Sequence, residues 1–164
     1  MYSICPFLKE NFMDIRLVTD TAEKQRIARD ILEGLKQWFE VDESREQYIN
    51  DCAKQPFFAA FSDGEPAGFL CLKETGKDTV ELAVMGVKKE LHRCGAGREL
   101  FDAARSFAAQ NGYSFMQVKT VKMGIYDDYD RTNRFYLGLG FKELEVLPLW
   151  DEANPCQVYI MYIG

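Results

Sequence analysis

The residues richest in usable chemistry lie between Val87 and Arg98, in the run V-K-K-E-L-H-R-C-G-A-G-R. Lys88, Lys89, Arg93 and Arg98 place four positive charges within eleven residues, against the single acid Glu90, in a chain whose net charge is −6. Gly95 and Gly97 lack the Cβ that blocks close approach of a ligand or forces strain at positive φ. A helical pattern opens near Ala96, so the loop brings unpaired backbone N–H groups and the positive end of a helix dipole to one place. Those features suit a phosphate group. The competing reading is a glycine-containing turn with a solvated basic rim, because G-x-G alone is a weak signal.

Glu81 is the second group of interest. It lies in the strand pattern Thr79–Val87, where Val80, Leu82 and Val84 alternate with Glu81, Ala83 and Met85. It is a carboxylate among apolar neighbours, which reads first as an ordinary edge or solvent-facing residue. On an otherwise apolar strand, desolvation is expected to raise its pKa. Cys94 sits near a helix start, where a thiolate is favoured and a covalent cysteine mechanism is conceivable. Loop cysteines beside a ligand are more often incidental. His92 is the only histidine, which excludes a multi-histidine metal site, and no metal is expected.

These groups need a scaffold, and the hydrophobic periods supply one. Ile15 and Leu17 in Met13–Val18 read as a first strand, followed by the cap candidates Thr19, Asp20 and Thr21. Ile27, Ile31, Leu35 and Trp38, with Ala28, Leu32 and Phe39 beside them, predict one helix running to Phe39. D-E-S-R-E-Q-Y-I-N-D-C-A-K predicts a second, with Tyr48 facing Cys52 and Ile49 facing Ala53, closed by Pro56. Phe57–Phe61, the turn S-D-G-E-P and Ala67–Leu72 predict a hairpin. After the glycine loop, Leu100, Phe101, Ala104, Phe107 and Ala108 predict a helix ending at Asn111-Gly112. A strand follows at Ser114–Val121. Asp127, Asp128 and Asp130 are expected in a loop before a short helix, Arg131–Leu139, stopped by Gly140. Two strands, Phe141–Leu147 and Gln157–Ile163, close the chain through the loop P-L-W-D-E-A-N-P-C. The order is β-α-α-β-β-β-α-β-α-β-β.

The 164 residues suffice for one domain that buries roughly 70% of its unfolded surface, with 47% hydrophobic and 28% charged residues. Residues 1–12 lack a period and read as an extension, 13–164 as a single domain, and Met13 could even be an alternative start. Five cysteines, Cys5, Cys52, Cys71, Cys94 and Cys156, are odd in number and form no C-x-x-C pair. A disulfide framework is therefore not expected, and a reducing compartment is. With no charged n-region before an apolar stretch and no run long enough for a bilayer, a cytoplasmic protein without a membrane partner is expected. The acidic balance argues against nucleic acid as a partner.

Two motifs carry a family resemblance. H-R-C-G-A-G from His92 to Gly97 resembles the acetyl-CoA pyrophosphate loop of the GNAT superfamily of acyl-CoA-dependent N-acetyltransferases, and F-Y-L-G-L-G-F from Phe135 to Phe141 resembles its F-Y-x-x-x-G-F helix end. The similarity covers nearly all of the chain from Met13 onward. It implies an α+β (α/β mixed) fold with a GNAT-like central mixed, mostly antiparallel sheet of about six to seven strands flanked by about four helices. His92 stands where the family usually has Gln or Arg, and Tyr129 where many members carry Asn at the start of the last helix, which removes one expected contact to the cofactor arm.

By this resemblance acetyl-CoA is the co-substrate and an amine is acetylated directly in a ternary complex. The backbone of Met85, Gly86 and Val87 would hold the pantetheine arm, and His92, Arg93, Cys94, Gly95, Ala96, Gly97 and Arg98 the pyrophosphate. Glu81 matches, fourteen residues before the first loop glycine, a glutamate that some members use as general base. Tyr136 matches the tyrosine that would protonate the departing thiolate. Asp127, Asp128 and Trp150 fall in segments that flank the acceptor in the family, and with Asp130, Asp151 and Glu152 they would favour a cationic amine. The acceptor could be a small molecule or a peptide, and a homodimer is one arrangement open to the chain. A noncatalytic acyl-CoA-binding or regulatory domain with the same fold is the alternative, and a nucleotide-binding module is disfavoured because neither G-x-x-x-x-G-K-[ST] nor G-x-G-x-x-G is present.

Overall fold

The computed structural model describes residues 13–164, and the expected extension at 1–12 lies outside them. The elements are β1 (Asp14–Val18), α1 (Thr21–Glu33), α2 (Asp42–Cys52), β2 (Phe57–Ser62), β3 (Glu65–Gly76), β4 (Thr79–Val87), α3 (Ala96–Gln110), β5 (Phe115–Val121), α4 (Asp127–Leu139), β6 (Lys142–Asp151) and β7 (Asn154–Tyr162). Seven strands form a mixed sheet in the order β1-β2-β3-β4-β5-β7-β6. This is the α+β architecture and the element order that the sequence implies. The chain divides into two compact units, one reaching to Leu72 and including Val84–Ser106, the other made of Lys73–Ala83 and Phe107–Gly164.

In the first unit, Asp20 caps α1 by accepting the Glu23 N–H at 2.8 Å. Ile27, Ala28, Ile31 and Leu32 of α1 are buried with Ile49 and Cys52 of α2 and with Phe57, Ala59, Phe69 and Cys71 of β2 and β3. Phe57 and Phe69 stack with centroids 5.1 Å apart. The helix expected to reach Phe39 stops at Glu33, with Gly34 as its cap, and the chain continues in turns to Trp38. Gly34 breaks the period there because it adds backbone entropy and no side-chain packing. Tyr48 lies on the exposed side of α2 and meets the Phe39 ring edge-on, so Arg45, Ile49 and Cys52 form the buried stripe instead. The β2–β3 hairpin turns through Asp63 and Gly64, both at positive φ (51° and 80°), as a two-residue Asp-Gly turn requires.

In the second unit, β5 pairs with β7 and β7 with β6, both antiparallel. The nine-residue loop expected before β7 does not exist. β6 runs to Asp151 and β7 starts at Asn154, and Asp151 Oδ1 accepts the Asn154 N–H at 2.9 Å, a side-chain turn that closes the hairpin tightly.

The end of α4 explains the F-Y-L-G-L-G-F motif physically. Gly140 has φ 104°, its N–H bonds Leu137 O at 3.1 Å, and the Phe141 N–H bonds Tyr136 O at 3.2 Å. This is a Schellman cap, whose usual apolar contact is here the T-shaped pair of Phe141 and Tyr136, 5.9 Å apart. Gly140→Ala should therefore cost about 1–2 kcal/mol, the price of a left-handed Cβ. A lower denaturant midpoint at unchanged m-value would register it.

Candidate active site

Strand β4 ends at Met85, Gly86 and Val87 in the first unit. A Cβ on Gly86 would come within 2.9 Å of Ile31 Cγ2, and one on Gly68 within 2.7 Å of Gly86 O. Both glycines are thus fixed by packing, since they let β3, β4 and α1 approach closely. His92 is exposed, but its ring is tied back to the strand end. Its Nε2 lies 2.7 Å from Val87 O, so that nitrogen carries the hydrogen and donates, and its ring meets Trp38 edge-on at 5.8 Å. Sequence reasoning missed this tie, although the only histidine following the strand end by five residues was a signal. Lys88 is likewise engaged, with its ammonium 3.0 Å from Asp30 of α1.

The loop backbone itself has the curvature that a phosphate needs. Arg93 and Gly95 both have left-handed φ, 64° and 88°, and alternation of this kind turns successive N–H groups toward a common concavity. Space at the Gly95 Cβ position is open, with nothing within 4 Å. Gly95 O accepts the Glu99 N–H at 3.0 Å and so begins α3. Ala96, Gly97 and Arg98 form its first turn, where amides have no intrahelical acceptor. Gly97 is helical, so its value lies in lacking a side chain and not in a special φ. Cys52, Cys71 and Cys156 are free and buried.

Tyr136 lies in the second unit, and its ring is boxed by Phe135, Phe141 and Tyr159 at centroid distances of 5.6, 5.9 and 6.4 Å. Burial pushes its phenol well above the ordinary pKa. Its hydroxyl makes no hydrogen bond to a described residue, yet it is not among the sealed unpaired polar atoms. Tyr159 behaves differently: its hydroxyl donates to Asn133 Oδ1 at 2.5 Å. Asn133, fully buried, donates in turn to Val121 O at 2.9 Å and to Tyr129 O at 2.7 Å. This network fixes α4 against β5 and β7 and is purely structural. No sequence motif signalled it.

Glu81 is neither at an edge nor in open solvent. It sits on β4, an inner strand, with its side chain 12% exposed, and its Oε1 lies 3.1 Å from Lys119 Nζ of β5. The parallel register of β4 with β5 comprises Thr79, Val80 and Glu81 against Phe115, Met116 and Gln117. Glu81 is the last residue of that ladder. Its surroundings include an ammonium, not only the apolar neighbours that the sequence suggested.

The acidic patch is partly accounted for by folding. Asp127, Asp128 and Asp130 lie in the first turn of α4 and not in a preceding loop, where they complement the helix dipole. Asp130 accepts the Gly124 N–H at 2.8 Å and Asp128 pairs with Arg131 at 3.4 Å. Asp127 and Glu152 make no hydrogen bond or ion pair with described residues. Trp150 is 48% exposed on the edge strand β6, with Leu144, Val146 and Leu149 exposed along the same strand. No cluster of three or more metal-binding side chains occurs among the described residues, and no helix there is long and apolar enough to cross a membrane.

The sequence profile described as the acetyltransferase (GNAT) family matches residues 21–141. No curated protein matches the sequence. Solved structures do match in fold. One from Desulfovibrio desulfuricans, assigned as an acetyltransferase of the GNAT family, superposes with TM-score 0.79 at 18% identity, covering 93% of this chain and 100% of that one. Aminoglycoside 6'-acetyltransferase type Ii gives 0.75 at 21%, covering 93% and 98%. Aminoglycoside 6'-N-acetyltransferase complexed with coenzyme A gives 0.72 at 18%, also covering 93% and 98%.

Proposed function

Because the chain belongs to the acetyltransferase (GNAT) family, whose co-substrate is acetyl-CoA, we propose that it acetylates the primary amine of an acceptor by direct attack in a ternary complex. The residues at the end of β4 (Met85, Gly86, Val87) hold the pantetheine arm through their backbone. His92 serves this role indirectly, by keeping Val87 in place. The loop Arg93–Arg98 seats the pyrophosphate on backbone amides, with Arg93, Lys89 and Arg98 supplying charge.

Glu81 takes the proton that the amine must lose, directly or through water. The amine lone pair then attacks the thioester carbonyl carbon, a C–N bond forms, and the oxygen gains charge that backbone N–H groups can steady. As the C–S bond breaks, the Tyr136 hydroxyl donates a hydrogen bond to the departing sulfur, and the proton that the acylated nitrogen still carries neutralises the thiolate. A phenol pushed up by burial stays protonated at every working pH, so the donor is always present. The observation that carries this reading is that the Tyr136 ring is locked by three aromatic neighbours while its hydroxyl has no hydrogen-bond partner among the described residues.

The acceptor is read as a cationic small-molecule amine. Asp127 and Glu152, acids with no partner among the described residues, support that reading together with Asp128. Two of the similar folds are named aminoglycoside acetyltransferases, and Trp150 offers an exposed ring for stacking a cation or a sugar face. A panel of aminoglycosides, polyamines, amino acids and peptides, assayed for amine-dependent CoA release, tests the class directly. For an active cation, KM should rise with ionic strength. A flat KM between low and physiological salt would contradict the acidic steering, and turnover confined to neutral peptides would contradict the small-cation reading.

A further inference from the structure

We infer that Lys119 is the positioning residue for the Glu81 carboxylate, holding Oε1 so that Oε2 is the oxygen presented to the acceptor proton. This inference rests on the reading of Glu81 as the general base. Lys119 Nζ contacts Oε1 at 3.1 Å, and Oε2 makes no hydrogen bond with a described residue. The two side chains are 12% and 28% exposed, so the pair is shielded from most of the water that would screen or loosen it. An unanchored glutamate on a strand samples several rotamers, and a base must lie within hydrogen-bond reach of its proton.

The backbone explains why an anchor is needed at this point. Glu81 and Gln117 close the β4–β5 register, so Glu81 stands where the ladder stops holding its strand. Lys119 is two residues beyond Gln117 and thus on the same face of β5. Gln117 is itself fixed by donating to Thr75 Oγ1 at 2.9 Å. Cys156 of β7, buried and pushed up by burial, is the other titratable group that feels both partners. It is neutral at working pH, which leaves Lys119 as the group that holds the carboxylate in place.

The alternative is that the pair merely staples two strands. Kinetics of Glu81→Gln, Lys119→Met, Lys119→Arg and the Glu81→Gln/Lys119→Met double variant separate the cases, with thermal midpoints as the folding control and Lys119→Gln replacing Lys119→Met if that variant folds poorly. The expected kcat of Glu81→Gln is at least about 100-fold down. Lys119→Met should fall on the order of tenfold or more, through misplacement of the base, with the KM for acetyl-CoA unchanged. Lys119→Arg should recover kcat to within about threefold of wild type, since it can still donate to Oε1. The double variant should be no slower than Glu81→Gln alone, because Lys119 acts through a group no longer present. An unchanged kcat in Lys119→Met, or a double variant slowed by the product of the two single effects, overturns the inference while leaving Glu81 as the base. An unchanged kcat in Glu81→Gln removes the base reading and this inference with it.

Discussion

Replacing Tyr136 with Phe lowers kcat by at least about 100-fold, with fold and acetyl-CoA affinity close to wild type. The substitution keeps the ring between Phe135, Phe141 and Tyr159 and removes only the hydroxyl. Because that hydroxyl has no hydrogen-bond partner among the described residues, its loss leaves no described buried group unsatisfied, and the folded state should lose little stability. The size of the effect follows from what the group can give. Its pKa lies well above the ordinary phenol value, whereas a free thiol titrates at roughly 8.5. Complete transfer to the sulfur would leave the more basic anion on the protein, so the dominant contribution is a hydrogen bond strengthening as sulfur charge develops. Removing one such donor costs on the order of 10²-fold to 10³-fold. The same direction of shift predicts that activity shows no alkaline limb near pH 10 arising from Tyr136. A fall of less than about threefold, with chemistry shown to limit turnover, would reduce Tyr136 to packing.

Replacing Gly95 with Leu abolishes the thermal stabilisation that acetyl-CoA confers. A ligand at about 100 times its Kd stabilises the native state by about 2.7 kcal/mol. For a chain of this size each kcal/mol moves Tm by about 2–4 °C, so the wild-type shift should be roughly 5–11 °C. Gly95 has φ 88° and open space at its Cβ. Leucine there would either strain the loop or pull Gly95 toward a negative φ that turns its amides away, and its side chain would occupy the phosphate position. Loss of the ligand-induced shift in a variant that still unfolds cooperatively is the expected result. A full shift would show that the loop does not seat the pyrophosphate.

Much of the scaffold is legible because the relevant signals are local. The alternation in β4, the i,i+4 stripes of α1 and α3, and the Asp-Gly and Gly140 turns each depend on a few neighbouring residues. The loop is legible for the same reason. What the sequence hides are pairings between distant residues. Lys119 meets Glu81 across 38 positions, and nothing local to either marks the other. Tyr159 and Asn133 are joined across 26. The boundary errors have a common cause as well. The first turn of α4 looks like a loop because it is filled with aspartates, poor helix formers in a helix interior but favourable at a positive N-terminus. β6 and β7 look shorter than they are because Pro148 and Pro155 suggest breaks, and proline is tolerated on edge strands and at strand starts.

The most direct measurement of the central claim is CoA release from acetyl-CoA, followed by thiol detection, with and without each amine of the panel, alongside mass analysis of the amine. The account predicts release that depends on a cationic amine, one equivalent of N-acetylated product per CoA, and loss of both signals in Tyr136→Phe by about 100-fold. A protein that is stabilised by acetyl-CoA yet releases no CoA with any amine in the panel would contradict the account and mark the chain as an acyl-CoA-binding domain without turnover.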